Sequence, residues 1–170
     1  MPRIQGFPPL AAPQARILIL GSMPSQASLH RQQYYAHPRN AFWPILSALL
    51  EIPSERYEDR AQQAVNRGIA VWDVLRDCIR PGSLDSSIDE KTAVVNDFEG
   101  FFQLHPLLSS IYFNGAKAES LFLKRVLPGL DQAYAAIPRT RLPSTSPAHA
   151  GMSFEKKLEA WRIILTTELE

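Results

Sequence analysis

The chain of 170 residues carries 45% hydrophobic and 21% charged side chains with a net charge of +1, a globular composition that fits neither wholesale disorder nor a fibrous repeat. At this length folding removes roughly 70% of the unfolded surface from water, enough for a substantial core. The single cysteine, Cys78, excludes an internal disulfide, a four-cysteine iron–sulfur cluster and a cysteine-built zinc site.

The opening residues lack the apolar stretch of a signal peptide, and no apolar run reaches the ~20 residues of a membrane helix. The expectation is one cytoplasmic domain over residues 1–170. Residues 16–21 form a short β-branched run ending in Gly21, as a buried parallel strand would. Residues 42–51 have helical apolar spacing, and residues 54–67 read as a polar helix with Ser54 as cap and Gly68 as stop. Residues 69–74 give a second strand, residues 87–104 a helix broken before Pro106, and residues 110–114 a third strand. A helix over 115–127 follows, then one or two strands within 133–142. A final helix runs from Ser153, its N-cap, to about Leu169. Strands spaced by helices predict a three-layer α/β/α sandwich around a central, mostly parallel sheet.

Ligands of such sheets sit beyond the carboxyl ends of the strands. That rule selects the loops at residues 21–40, 73–87, 114–115 and 143–149, where the unusual residues gather. The first holds Gly21-Ser22-Met23-Pro24-Ser25 and then Tyr35-Ala36-His37-Pro38-Arg39-Asn40-Ala41-Phe42-Trp43. The last holds Pro143-Ser144-Thr145-Ser146-Pro147-Ala148-His149.

On these three motifs the chain resembles the uracil-DNA glycosylase superfamily. The middle motif is similar to that of the mismatch-specific uracil glycosylases. The first and last are closer to the hypoxanthine-DNA glycosylase branch. The resemblance spans residues 15–165 and implies a uracil-DNA glycosylase-like fold. It also implies excision of a deaminated base from damaged double- or single-stranded DNA, hypoxanthine before uracil. The mismatch-specific enzymes carry a water-orienting Asn in the first motif. Here that position is Met23, an absence that the hypoxanthine branch shares.

Cleaving an N-glycosidic bond in DNA requires the base to leave the stack, at a cost of a few kcal/mol, and a pocket to receive it. Tyr35 is the expected stacking platform, since base–aromatic stacking is worth ~1–3 kcal/mol. Gly21, Ser22, Met23 and Phe42 join it around the base. Asn114 ends the third strand, and its amide matches the donor-beside-acceptor edge shared by hypoxanthine and uracil; the competing reading is an Asn-Gly turn with Gly115. Asn40 is the candidate to place the attacking water, although an N-cap role alone would explain it. Asp73 is a carboxylate on the same rim that either orients water or a neighbouring side chain or caps the following turn. Ser25, Ser144, Thr145 and Ser146 are candidate phosphate contacts, with His149 nearby as a catalytic candidate; the competing reading of the late loop is a run of turns whose serines only satisfy backbone groups.

His30, His37, His105 and His149 show no metal-ligand spacing, so neither metal nor cofactor is expected. The expected assembly is a monomer. Two other classes keep some weight. One is a non-catalytic module that binds a damaged base or nucleotide. The other is an acyl or ester hydrolase, because Ser22, Asp73 and His149 follow the chain order of an α/β-hydrolase triad, without the nucleophile elbow.

Overall fold

Ile17–Gly21 is apolar at successive positions because both of its faces are covered. The computed structural model describes residues 2–166. In chain order the elements are β1 (Ile4–Gln5), β2 (Ile17–Gly21), α1 (Gln26–Arg31), α2 (Phe42–Leu50), α3 (Tyr57–Asn66), β3 (Ile69–Asp73) and β4 (Leu75–Ile79). They continue with β5 (Asp89–Val95), α4 (Phe98–Leu104), β6 (Ser110–Asn114), α5 (Ala116–Arg125), α6 (Gln132–Ala135), β7 (Arg139–Leu142) and α7 (Phe154–Trp161).

A four-stranded sheet in the order β3-β2-β6-β7 is parallel throughout. Successive side chains point to opposite faces, so Ile17 and Ile19 pack with α2, α3 and α7, around Phe42, Leu46 and Trp161. Leu18 and Leu20 pack the other way, with Phe98, Phe102 and Phe122 of α4 and α5. Helices cover both faces, which makes the molecule a three-layer α/β/α sandwich. Phe42 and Trp161 are fully buried and meet edge to face with ring centres 5.9 Å apart. Truncating a ring of this kind to Ala costs about 3–5 kcal/mol.

The structure departs from the sequence reading in several places, and α1 and β4 form within the stretches expected to be the loops at 21–40 and 73–87. Residues 87–104 were expected to form one helix, but β5 pairs antiparallel with β4, and only Phe98–Leu104 is helical. Tertiary contacts decide this: Thr92 Oγ1 accepts from Ile79 N at 2.9 Å, and Arg125 donates to the Ala93 carbonyl at 3.1 Å. β1, β4 and β5 thereby build a small antiparallel sheet, with Cys78 fully buried in the core beneath it. Ser54 does not cap α3. Its hydroxyl turns back to Arg56 N and to Asp59, and Arg56 occupies the cap position. Within residues 133–142 the chain gives α6 and then a single strand, β7. Ser153 does cap α7, accepting from Lys156 N at 3.2 Å. The helix gives way to tighter turns over Arg162–Thr166, and residues 167–169 of the expected span lie outside the described residues.

The chain leaves the parallel sheet at Val74, the one residue between β3 and β4. Val74 N donates to the Gly21 carbonyl at 2.8 Å and Leu75 N to the Ser22 carbonyl at 3.1 Å. These bonds fix the carboxyl ends of β2 and β3 side by side.

Candidate active site

A cavity of about 440 Å³ opens at the carboxyl ends of the parallel strands. Every residue expected at the site borders it except Phe42. Phe42 has no exposed surface and stacks behind Tyr35, with ring centres 4.0 Å apart. It therefore supports the platform and does not touch a ligand.

Tyr35 sits in left-handed backbone, φ +53°, a conformation that costs a non-glycine residue about 1–3 kcal/mol. Its neighbours hold it there. Tyr34 N donates to the Tyr57 hydroxyl, Trp43 Nε1 to the Tyr34 carbonyl, and Ala36 N to Ser28 Oγ. The Tyr35 hydroxyl is buried without a hydrogen-bond partner. Burial, and then the charge of Asp73, push its pKa upward; the Asn114 amide beside it acts the other way without reaching hydrogen-bonding geometry. The group stays protonated and can donate. Gly21 makes room for this arrangement, because a Cβ there would lie 2.5 Å from Asp73 Oδ1 and 2.9 Å from the Tyr35 hydroxyl. No side chain fits.

Asn114 is buried and holds Thr145 with both ends of its amide. Nδ2 donates to Thr145 Oγ1 at 2.9 Å, and Oδ1 accepts from Thr145 N at 2.9 Å. Thr145 is itself 1% exposed, and its carbonyl accepts from Ala41 N at 3.0 Å. Thr145 was expected to bind phosphate. Instead it locks the late loop to β6 and to the start of α2. Gly115, at φ +96°, follows directly and packs against Ser144. Asn40 Oδ1 accepts from Phe42 N at 2.9 Å in a turn that leads into α2; the N-cap itself is Ala41, so Asn40 is not the cap, and one lone pair of its carbonyl remains.

Asp73 caps no turn. Its backbone carbonyl accepts from Asn96 Nδ2, while its Oδ2 is buried with no hydrogen-bond partner. Burial first, and then the neighbouring Asp85 carboxylate, raise its pKa to about 7 against a partial offset from Arg80. Asp85 and Arg80 were not singled out in the sequence, although the loop at 73–87 was. Arg80 is 4% exposed and donates to the Pro24 carbonyl at 2.7 Å and the Gly82 carbonyl at 2.8 Å. It ties the β4–β5 turn to the first motif. Ser22 Oγ donates to Asp85 Oδ1. No histidine receives that proton, so the hydrolase triad is not assembled.

The late loop is a run of turns. Ser144 Oγ accepts from Ser146 N, and Ser146 Oγ accepts from Ala148 N, each at 3.1 Å. α7 begins only at Phe154, so these serines lie in the turns that precede it. Ser25 is the N-cap of α1, its hydroxyl engaged with Ser28 N and Ser28 Oγ; it too is withdrawn from the phosphate role. His149 is exposed on the rim. Of the nearby cations, Lys157 is buried beneath the loop with Nζ 3.4 Å from the Ser146 carbonyl, and Arg141 lies 3.6 Å from Glu119. Lys117, unforeseen in the sequence, stands on the cavity wall 2.6 Å from Glu90.

A parallel-sheet sandwich with a strained aromatic, a buried amide and a buried carboxyl around one strand-end cavity suits an enzyme that draws a base out of the stack into a pocket. The sequence comparisons agree, since the family model of the uracil DNA glycosylase superfamily matches residues 8–167. The chain belongs to that superfamily and is a DNA glycosylase. It is 38% identical over 116 residues to the hypoxanthine DNA glycosylase of Methanosarcina acetivorans, covering 67% of this chain and 72% of that protein. The Methanosarcina barkeri hypoxanthine DNA glycosylase is 35% identical over the same coverage. A solution structure of a candidate uracil DNA glycosylase from M. acetivorans superposes with a TM-score of 0.77 at 33% identity, over 95% of this chain and 96% of that one.

Proposed function

We propose that the protein hydrolyses the N-glycosidic bond of hypoxanthine in DNA, leaving an abasic site, with uracil a poorer substrate. The observation that carries this reading is Met23. It borders the cavity where the resemblance would place a water-orienting amide, and its thioether can neither hold water nor stabilise charge. Hypoxanthine leaves readily once its ring is hydrogen-bonded and needs less help from such a residue. The relatives named as hypoxanthine DNA glycosylases support the same assignment.

In this reading Tyr35 stacks on the extruded base with Phe42 bracing it from behind. The second lone pair of Asn40 Oδ1 holds the attacking water; its bond to Phe42 N fixes the side chain at the required angle. An oxocarbenium-like transition state rewards such positioning more than it rewards a strong base. Ser144 and Ser146 accept from backbone N–H groups, which leaves each hydroxyl proton for a phosphate oxygen. His149 faces the strand from the rim. The test is alkali cleavage of labelled oligonucleotides carrying hypoxanthine, uracil, xanthine or mismatched thymine. Strong uracil release with no hypoxanthine release would overturn the assignment.

A further inference from the structure

We infer that Asp73, as a neutral carboxylic acid, is the group that reads the edge of the extruded base. Its carbonyl oxygen accepts the ring N–H of a lactam, and its O–H donates to the adjacent ring carbonyl. The inference rests on the glycosylase reading and names the group that recognises its substrate.

Asn114 is the more obvious reader, but Thr145 already holds one donor and one acceptor of its amide. Asp73 is the opposite case. It borders the cavity, is 4% exposed, and has an oxygen that no described residue satisfies. A buried polar atom left unpaired costs ~1–3 kcal/mol, a cost that a ligand would remove. Gly21 opens the space in front of it, since a Cβ at that position would collide with Asp73 Oδ1.

The chemistry selects the protonation state. An ionised carboxylate only accepts, so it can take the lactam N–H but repels the neighbouring carbonyl; a neutral acid offers one donor beside one acceptor. The surroundings favour the neutral form. From the β4–β5 turn come Asp85 and Arg80, and Arg80 is held by the Pro24 and Gly82 carbonyls. From the loop after α1 come the Tyr34 and Tyr35 hydroxyls. The end of β2 contributes Gly21, and the residue after it the Ser22 hydroxyl, which is turned to Asp85. No cation forms an ion pair with Asp73 among the described residues, and its carboxyl titrates near 7.

The experiment is single-turnover excision from a hypoxanthine duplex between pH 5.5 and 9, by the wild type, Asp73→Asn and Asp73→Ala. Asp73→Asn keeps one donor and one acceptor at every pH. It is expected to retain excision within about tenfold and to lack the alkaline decline expected of the wild type above pH 7. Asp73→Ala is expected to lose about 100-fold or more. A folded Asp73→Asn as inactive as Asp73→Ala overturns the inference, because the anion is then required. A wild-type rate that climbs with pH through neutrality overturns it without any variant. Wild-type protein inert on every lesion removes the glycosylase reading and this inference together, whereas the first two failures leave that reading intact.

Discussion

The two walls of the cavity are built on opposite principles. On the β6–β7 side polar groups are matched: Asn114 with Thr145, Ser144 with Ser146, Lys157 with the Ser146 carbonyl, and Trp161 Nε1 with the Pro143 carbonyl at 2.9 Å. On the β2–β3 side the Tyr35 hydroxyl, Asp73 Oδ2 and Arg80 Nη1 are buried without partners. Satisfied groups make one wall a rigid scaffold. Unsatisfied groups store unfavourable desolvation in the other, which a ligand of matching polarity relieves. The contrast separates architecture from recognition within one pocket.

The sharpest way to probe it is the stability of Asp73→Asn. The folded state raises the carboxyl from its ordinary 3.8 to about 7, so folding binds a proton that the unfolded chain releases. Wild-type stability therefore falls as pH rises from about 4 to about 7, and the deficit is complete above that range. Asp73→Asn is expected to be more stable at pH 8 by up to roughly 4 kcal/mol. The gain should vanish near pH 4, and thermal melting at both pH values checks it. Next comes Asn40→Ala, whose excision rate should drop about 30- to 1,000-fold in single turnover with duplex affinity little changed. An unchanged rate in a correctly folded variant removes the water-placing role.

The matched wall should respond in the other currency. Thr145→Val removes the hydroxyl that Asn114 Nδ2 bonds and leaves that donor buried, for a loss of about 1–3 kcal/mol in denaturant unfolding. If the scaffold argument holds, the preference for hypoxanthine over adenine stays intact; a lost preference would return the reading role to Asn114. The smallest effect is expected from Ser146→Ala, a few-fold weaker duplex affinity measured at fixed salt, since one neutral hydrogen bond is worth roughly 0.5–1.5 kcal/mol.

The parallel strands were legible because both of their faces are covered, so Ile17–Gly21, Ile69–Asp73 and Ser110–Asn114 are nearly unbroken apolar runs with clear stops. The antiparallel sheet was not. Asp89-Glu90-Lys91-Thr92 opens a strand with charges, which locally suits a helix. Its pairing partner β4 begins one residue after β3, and its residues fall in the stretch expected to be the loop at 73–87. At the site, the rule of strand ends found the loops, and the motifs found Tyr35, Asn40 and Asn114. It could not find Asp85 or Arg80, because what defines them is contact across loops. Ser22 meets Asp85 63 positions away, and Arg80 meets Pro24 56 positions away. Nor could spacing reveal that Thr145 faces inward or that Phe42 lies behind its neighbour.

The lone thiol offers a practical handle. Cys78 has no exposed surface, and burial holds its pKa above the usual thiol range, so alkylating reagents find almost no thiolate in the native protein. A cysteine introduced at a surface position such as Leu84, half exposed on the cavity rim, would therefore take a fluorophore at one place only. The natural residue need not be removed. Binding of an oligonucleotide at the rim becomes visible to a single dye, and uptake of a second label reports unfolding of the small sheet.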